Sequence, residues 1–434
     1  MRAALRTVML TTSAALVLTG CGSSSSGPVD VFAAGAWPGR YADARNSSTA
    51  QADGLRDVAP AWSRPLGGAV TSPASVAANG QIFVTGATTV GCNLVSFQID
   101  TGRKRWCTRL APGVAGVTPA VDGVANIYVG EEGAMVSFNE HGQRRWRIPV
   151  SGTPGTAQFT GDGNLVFVTH FGQVNVLDPQ TGKHAAPIFD LVPTPAVTDG
   201  TNVPRLPNDH GLAACFGGSE DCPVATTPAV DLDTGRILVT LWRPGADRAA
   251  VVSMRYTGGD DARVVEEWSQ TELPGGATTS PVLSADSATV YVHDGEGALW
   301  ALDAGSGAPR WSHDLGYVAS AGPAVSAEGL LVLAPGGRTG DLVALRDTGE
   351  AAETVWRRGD VRQLGVPALT ADGTGYTVAR ADDGLAALVF DAASGETLDE
   401  ETLPGAAGFS VGTAVGPAGE FVTTTLPGEV YVLR

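Results

Sequence analysis

Apolar residues along this chain gather in short runs broken by Gly, Asp and Pro, and no long stretch carries them at helical spacing. The runs are rich in Val, Ile, Thr, Tyr and Phe, which predicts β-strands joined by tight turns. One run recurs eight times: Ile82-Phe83-Val84, Ile127-Tyr128-Val129, Val166-Phe167-Val168, Ile237-Leu238-Val239, Val290-Tyr291-Val292, Leu331-Val332-Leu333, Tyr376-Thr377-Val378 and Phe421-Val422-Thr423. A shorter signature leads into each of them. It reads Ser72-Pro73-Ala74, Thr118-Pro119-Ala120-Val121, Thr227-Pro228-Ala229-Val230, Ser280-Pro281-Val282, Gly322-Pro323-Ala324-Val325 and Val366-Pro367-Ala368-Leu369. Gly155-Thr156-Ala157 and Gly412-Thr413-Ala414-Val415 are weaker copies.

A third strand and a hairpin turn follow in each repeat. Leu299-Trp300-Ala301-Leu302-Asp303-Ala304-Gly305-Ser306-Gly307 and Val174-Asn175-Val176-Leu177-Asp178-Pro179-Gln180-Thr181-Gly182 are the clearest copies, and 389–395 and 95–102 are looser ones. The Asp side chain can cap the turn amides, and the Gly takes the positive φ that closes the hairpin. Recurrence at one turn position makes these aspartates structural, not acid catalysts or calcium ligands. A fourth strand carries Trp106, Trp146, Trp268, Trp311 or Trp356, placed to pack between neighbouring sheets, while the third and seventh repeats have no Trp there.

Four strands per unit, at about 40 to 46 residues in most units, is the arithmetic of a β-propeller. The last repeat stops at Val430-Tyr431-Val432-Leu433-Arg434 after three strands. Ahead of the first repeat, Ala61-Trp62-Ser63-Arg64-Pro65-Leu66 parallels Trp311-Ser312-His313-Asp314-Leu315. The expected fold is therefore all-β: an eight-bladed propeller of four-stranded antiparallel blades, closed by an N-terminal strand that completes the last blade.

The block Ala301-Leu302-Asp303-Ala304-Gly305-Ser306-Gly307 with Trp311 just beyond it resembles the pyrroloquinoline-quinone-type propeller repeat. The resemblance covers residues 56–434 and implies the fold. It does not by itself imply the chemistry.

The N-terminus changes the picture of where this propeller works. Arg2 and Arg6 precede an apolar stretch from Val8 to Leu18, which ends in Leu18-Thr19-Gly20-Cys21. This resembles a bacterial lipobox, so residues 1–20 are expected to be a lipoprotein signal peptide and Cys21 the lipidated new N-terminus. The apolar stretch is too short to span a bilayer and runs into Gly22-Ser23-Ser24-Ser25-Ser26-Gly27. Residues 21–36 are thus a flexible tether, 37–55 a lead-in and 56–434 the propeller. The protein is expected outside the cytoplasm, lipid-anchored to the cell membrane as a monomer.

Five cysteines leave four once Cys21 is lipidated, an even number that suits disulfides in an oxidising compartment. Cys92 and Cys107 lie on the arms of one predicted hairpin, and Cys215 and Cys222 enclose a short loop; other connectivities remain open. The loop belongs to an insert, 191–222, rich in Pro, Gly and Asn, which breaks the repeat between the third and fourth units. It contains Thr194-Pro195-Ala196-Val197, a signature copy with no second strand after it. Propeller topology puts this insert on one rim, as a binding element or a tolerated loop.

The formal charge of −17 leaves no basic face for nucleic acid. Quinoprotein dehydrogenases with this repeat hold their quinone between a Trp and a disulfide of adjacent cysteines, beside calcium bound by Glu, Asn and Asp. This chain has no adjacent cysteine pair, so that site does not carry over, and no cofactor or metal is assigned. The six histidines, His141, His170, His184, His210, His293 and His313, show no metal-ligand spacing, although His170 and His293 fall just after second strands near the expected rim. Two classes remain. One is a non-catalytic protein-interaction scaffold with an envelope partner on a rim, similar to the propeller lipoproteins of the outer-membrane β-barrel assembly machinery in length, anchor and blade number. The other is a quinoprotein-like dehydrogenase or small-ligand binder.

Overall fold

The computed structural model describes residues 31–32, 35–111, 114–193, 222–224, 226–335, 340–382 and 384–434. Its strands form six four-stranded sheets and one eight-stranded sheet, all antiparallel. The larger sheet is two four-stranded units that share a single bridged pair, Gln363 with Ala379. The described residues thus build eight blades, each running inner, second, third and outer strand. In chain order they are blade 1 (75–108), blade 2 (120–149), blade 3 (158–190), blade 4 (229–270), blade 5 (282–314), blade 6 (324–363), blade 7 (368–402) and blade 8 (410–433 with 60–65).

Most inner strands are short, as in Ala120–Val121, where the preceding Pro119 cannot donate to a ladder, while that of blade 8, Ser410–Val415, is longer. Second and third strands are buried on both faces, as in Gln81–Thr85 and Ala134–Phe138, because a blade on either side covers them. This is why they read as near-continuous apolar runs and not as alternation. Outer strands such as Lys104–Thr108 are exposed to half-buried.

Closure follows the sequence expectation. Pro60–Pro65 pairs with Glu429–Leu433, with Trp62 opposite Val432. Leu66 N–H donates to the Gly428 carbonyl at 2.8 Å and Ala59 exchanges bonds of 3.1 and 3.0 Å with Arg434. Blade 8 is thereby made from both ends of the propeller.

The outer-strand tryptophans dock on the next blade. The Nε1–H of Trp62 donates to the carbonyl of Ile99 at 2.6 Å, and those of Trp106, Trp146, Trp268 and Trp356 reach the carbonyls of Glu140, Pro179, Ala304 and Ala392 at 2.8, 3.0, 3.1 and 2.9 Å. Trp311 reaches the Asp347 carboxylate instead, at 2.8 Å. All of these indoles except Trp311 lie against the turn glycine of that next blade. At Gly102, φ is +63° and an added Cβ would sit 2.6 Å from the Trp62 ring. The same contact recurs at Gly142, Gly182, Gly307 and Gly395. A side chain there would both strain the turn and displace the indole.

The lead-in does more than precede the blades: it winds round the axis and bonds to their inner strands in order. Val76 N–H donates to Trp37 O at 2.8 Å, Val121 N–H to Pro38 O at 2.7 Å, Val230 N–H to Ala44 O at 2.6 Å and Leu283 N–H to Arg45 O at 3.0 Å. Val325 and Leu369 continue the series to Ser47 O and Ser48 O at 2.8 and 2.9 Å. Blade 3 is held through Gln158, whose Nε2 donates to Asn46 Oδ1 at 2.9 Å. Asn46 is fully buried with φ +60°, and its Nδ2 donates to the carbonyls of Thr227 and Pro281 at 3.2 and 2.9 Å. The chain then leaves along blade 7, where Val58 N–H meets Asp399 Oδ2 at 2.8 Å, and arrives as the outer strand of blade 8.

Trp62 therefore ties blade 8 to blade 1. Trp62→Ala is expected to cost about 2–4 kcal/mol, and Gly102→Ala a similar amount. The double variant should cost clearly less than the sum, because both remove one contact. Urea denaturation midpoints check this; strict additivity would show that the indole and the turn do not act together.

Candidate functional site

The loops between second and third strands and the connections between blades share one face of a propeller. On that face a cavity of ≈ 790 Å³ sits at the axis, between blades 1, 6, 7 and 8. The lead-in lines it through Arg40, Tyr41 and Ser48. Its walls are the segments leading into inner strands, with Pro73, Leu364, Val366, Phe409 and Val411, and the end of a second strand, with Arg380.

Among the described residues no Asp or Glu lines this cavity. Some guanidinium groups of the molecule meet carboxylates, as in Arg147–Glu131 at 2.8 Å and Arg255–Glu267, which shares its carboxylate with Arg236, whereas others, such as Arg64 and Arg109, bond to carbonyls. Arg40 bonds only to the Tyr41 hydroxyl, at 3.2 Å, and lies 5.6 Å from the centre of that ring. Arg380 stands exposed on its strand and, like Arg40, forms no ion pair among the described residues. Thr413 lines the wall with a buried hydroxyl that has no hydrogen-bond partner.

This lining does not fit the quinone site of the dehydrogenases. Among the described residues it offers no carboxylate to hold calcium and no tryptophan to cover a quinone. Among the described residues no group of His, Cys, Asp and Glu could hold a metal ion.

Cys92 and Cys107 are joined, with Cα atoms 5.7 Å apart, on the loop side of blade 1. Cys222 is buried and disulfide-bonded beside the path into blade 4. Cys215 and most of the 191–222 insert, including its signature copy, lie outside the described residues, as does Cys21.

The two rim histidines are core residues. His293 ends the second strand of blade 5 and is fully buried, with neither ring nitrogen bonded. His170 is also buried; its Nδ1 accepts from Thr153 N–H at 2.7 Å while its Nε2 has no partner. Neither lines the axial cavity. Asp294, beside His293, caps its turn through Glu296, Gly297 and Ala298 N–H at 3.0, 2.8 and 2.8 Å and accepts from Trp300 Nε1. The strand pattern placed these residues by position along the chain, but burial decides their role.

Burial holds the imidazoles of His170 and His293 down at about 4, below the ordinary 6.5. The unfolded chain gains protons as pH falls through 6.5, whereas the folded chain resists until about 4. Stability is therefore expected to fall across that window, by roughly 3 kcal/mol for each histidine. His293→Leu should flatten the His293 share of the slope and be neutral or stabilising at pH 5, which melting curves across pH 4–7 would show. An unchanged acid slope in that variant would refute the assignment.

Comparison with known proteins places this geometry in a family. The family of outer membrane protein assembly factor BamB matches residues 49–187 and 228–417. Protein Rv3035 of Mycobacterium tuberculosis is 40% identical over 418 residues, covering 95% of this chain and 98% of that protein. The fold resembles BamB from Moraxella catarrhalis, with a TM-score of 0.56 at 14% identity over 87% of this chain and 99% of that one. It also resembles quinohemoprotein alcohol dehydrogenase from Comamonas testosteroni, with a TM-score of 0.63 at 14% identity over 93% of this chain and 81% of that one. The repeats, the docking tryptophans and the family match agree: the chain belongs to the family of outer membrane protein assembly factor BamB, built as a quinoprotein-like β-propeller.

Proposed function

We propose that this chain is an extracytoplasmic lipoprotein, held at the cell membrane through Cys21, whose propeller is a non-catalytic scaffold for an envelope protein. The observation that carries the reading is the misfit of the axial lining to quinone and calcium in a chain of this family. The loop face supplies a docking surface. Val90 on a loop of blade 1 is 83% exposed and Val318, between blades 5 and 6, is 47% exposed. Large apolar side chains held out on loops of a rigid ring are what a protein partner covers.

The test is photo-cross-linking in cells from positions 90 and 318, with Val124 on the opposite face as control. A defined envelope protein should be captured from the first two positions and not from the third. Cys21→Ala should release the chain from the membrane fraction or block its processing. Cross-links equal from both faces, or a purified protein that takes up pyrroloquinoline quinone with calcium and oxidises alcohols, would overturn the scaffold.

A further inference from the structure

The cavity that fails as a quinone site is nonetheless built, and its chemistry has a direction. Its volume, ≈ 790 Å³, falls within the range of small-molecule pockets. The lead-in lines it through Arg40, Tyr41 and Ser48. Leu364, Val366, Phe409 and Val411 give it an apolar wall. Two guanidinium groups share this lining, Arg40, half-buried in the lead-in, and Arg380, exposed on blade 7.

A chain with a formal charge of −17 repels anions at long range, but this cavity is lined by two arginines and, among the described residues, by no carboxylate. Guanidinium groups present planar forks of donors suited to carboxylate, sulfonate or phosphate oxygens. Arg40 uses one donor on Tyr41, and its terminal nitrogens make no hydrogen bond among the described residues. We propose that the axial cavity binds an amphiphilic anion, a small molecule with one acidic head and an apolar body. The head pairs with Arg40 and Arg380, and the body lies against the wall of blades 7 and 8. This goes beyond the scaffold reading and does not depend on it.

The probe is 8-anilinonaphthalene-1-sulfonate, titrated by fluorescence into the purified propeller. Saturable binding at one site is expected, with displacement by dodecanoate below its micelle concentration and not by dodecyltrimethylammonium. Arg380 is exposed, so Arg380→Glu should fold normally and weaken binding roughly tenfold or more, while Arg380→Lys keeps most of it. Arg40→Gln should weaken it similarly, with near-UV circular dichroism confirming an intact ring. Absence of saturable binding, equal displacement by the cationic detergent, or full affinity in Arg380→Glu would overturn the proposal. So would displacement by an acidic peptide but not by dodecanoate. Cross-linking from position 90 in the Arg380→Glu background separates the two readings, because a scaffold on the outer loops keeps its partner when the cavity has lost its anion.

Discussion

The ring depends on one repeated contact, the outer-strand indole laid over the turn glycine of the next blade. Each blade buries its second and third strands only if both neighbours are present, so junctions between blades carry the cooperativity of the whole. The indole satisfies the junction twice, through apolar area over the glycine and through Nε1–H on a turn carbonyl. Because the carbonyl belongs to the hairpin that Asp and Gly shape, the turn motif and the tryptophan are two halves of one device. Trp62 extends it across the seam where the chain ends meet.

Where the device is missing, polar side chains take over. Between blades 3 and 4, the hydroxyl of Tyr256 bonds to Asp162 and accepts from Asn164, each at 3.1 Å. Between blades 7 and 8, Tyr376 donates to the Gly419 carbonyl at 2.8 Å, and Asp399 receives the incoming Val58. These junctions border the two interruptions of the regular ring, the 191–222 insert and the N-terminal strand. The repeat is relaxed where extra chain has to be accommodated.

The lead-in gives the axis a different character from the blades. A closed ring of short inner strands leaves their N–H groups pointing toward a channel, and the lead-in accepts from them in turn. It needs left-handed backbone at Ala42, Asn46 and Ser48 to follow that circle, and Asn46 tolerates it best because its side chain bonds on three sides. It also lines the axial cavity and so places Arg40 in the same lining as Arg380.

The strands, the eightfold repeat, the closing strand and the approach of Cys92 to Cys107 were legible in the sequence, because each is set by local apolar pattern, turn chemistry and contact with the adjacent unit. A repeat writes such information once per blade, and comparison of copies reveals it. The path of the lead-in, the burial of His170 and His293, and the placing of Arg40 and Arg380 in one cavity were decided only by the tertiary structure. An Arg at the end of a single second strand and another in a non-repeating segment share no spacing that a period can expose. They converge because closing the ring brings blades 6, 7, 8 and 1 around one axis, and convergence at an axis is a property of the closed ring, not of any segment that builds it.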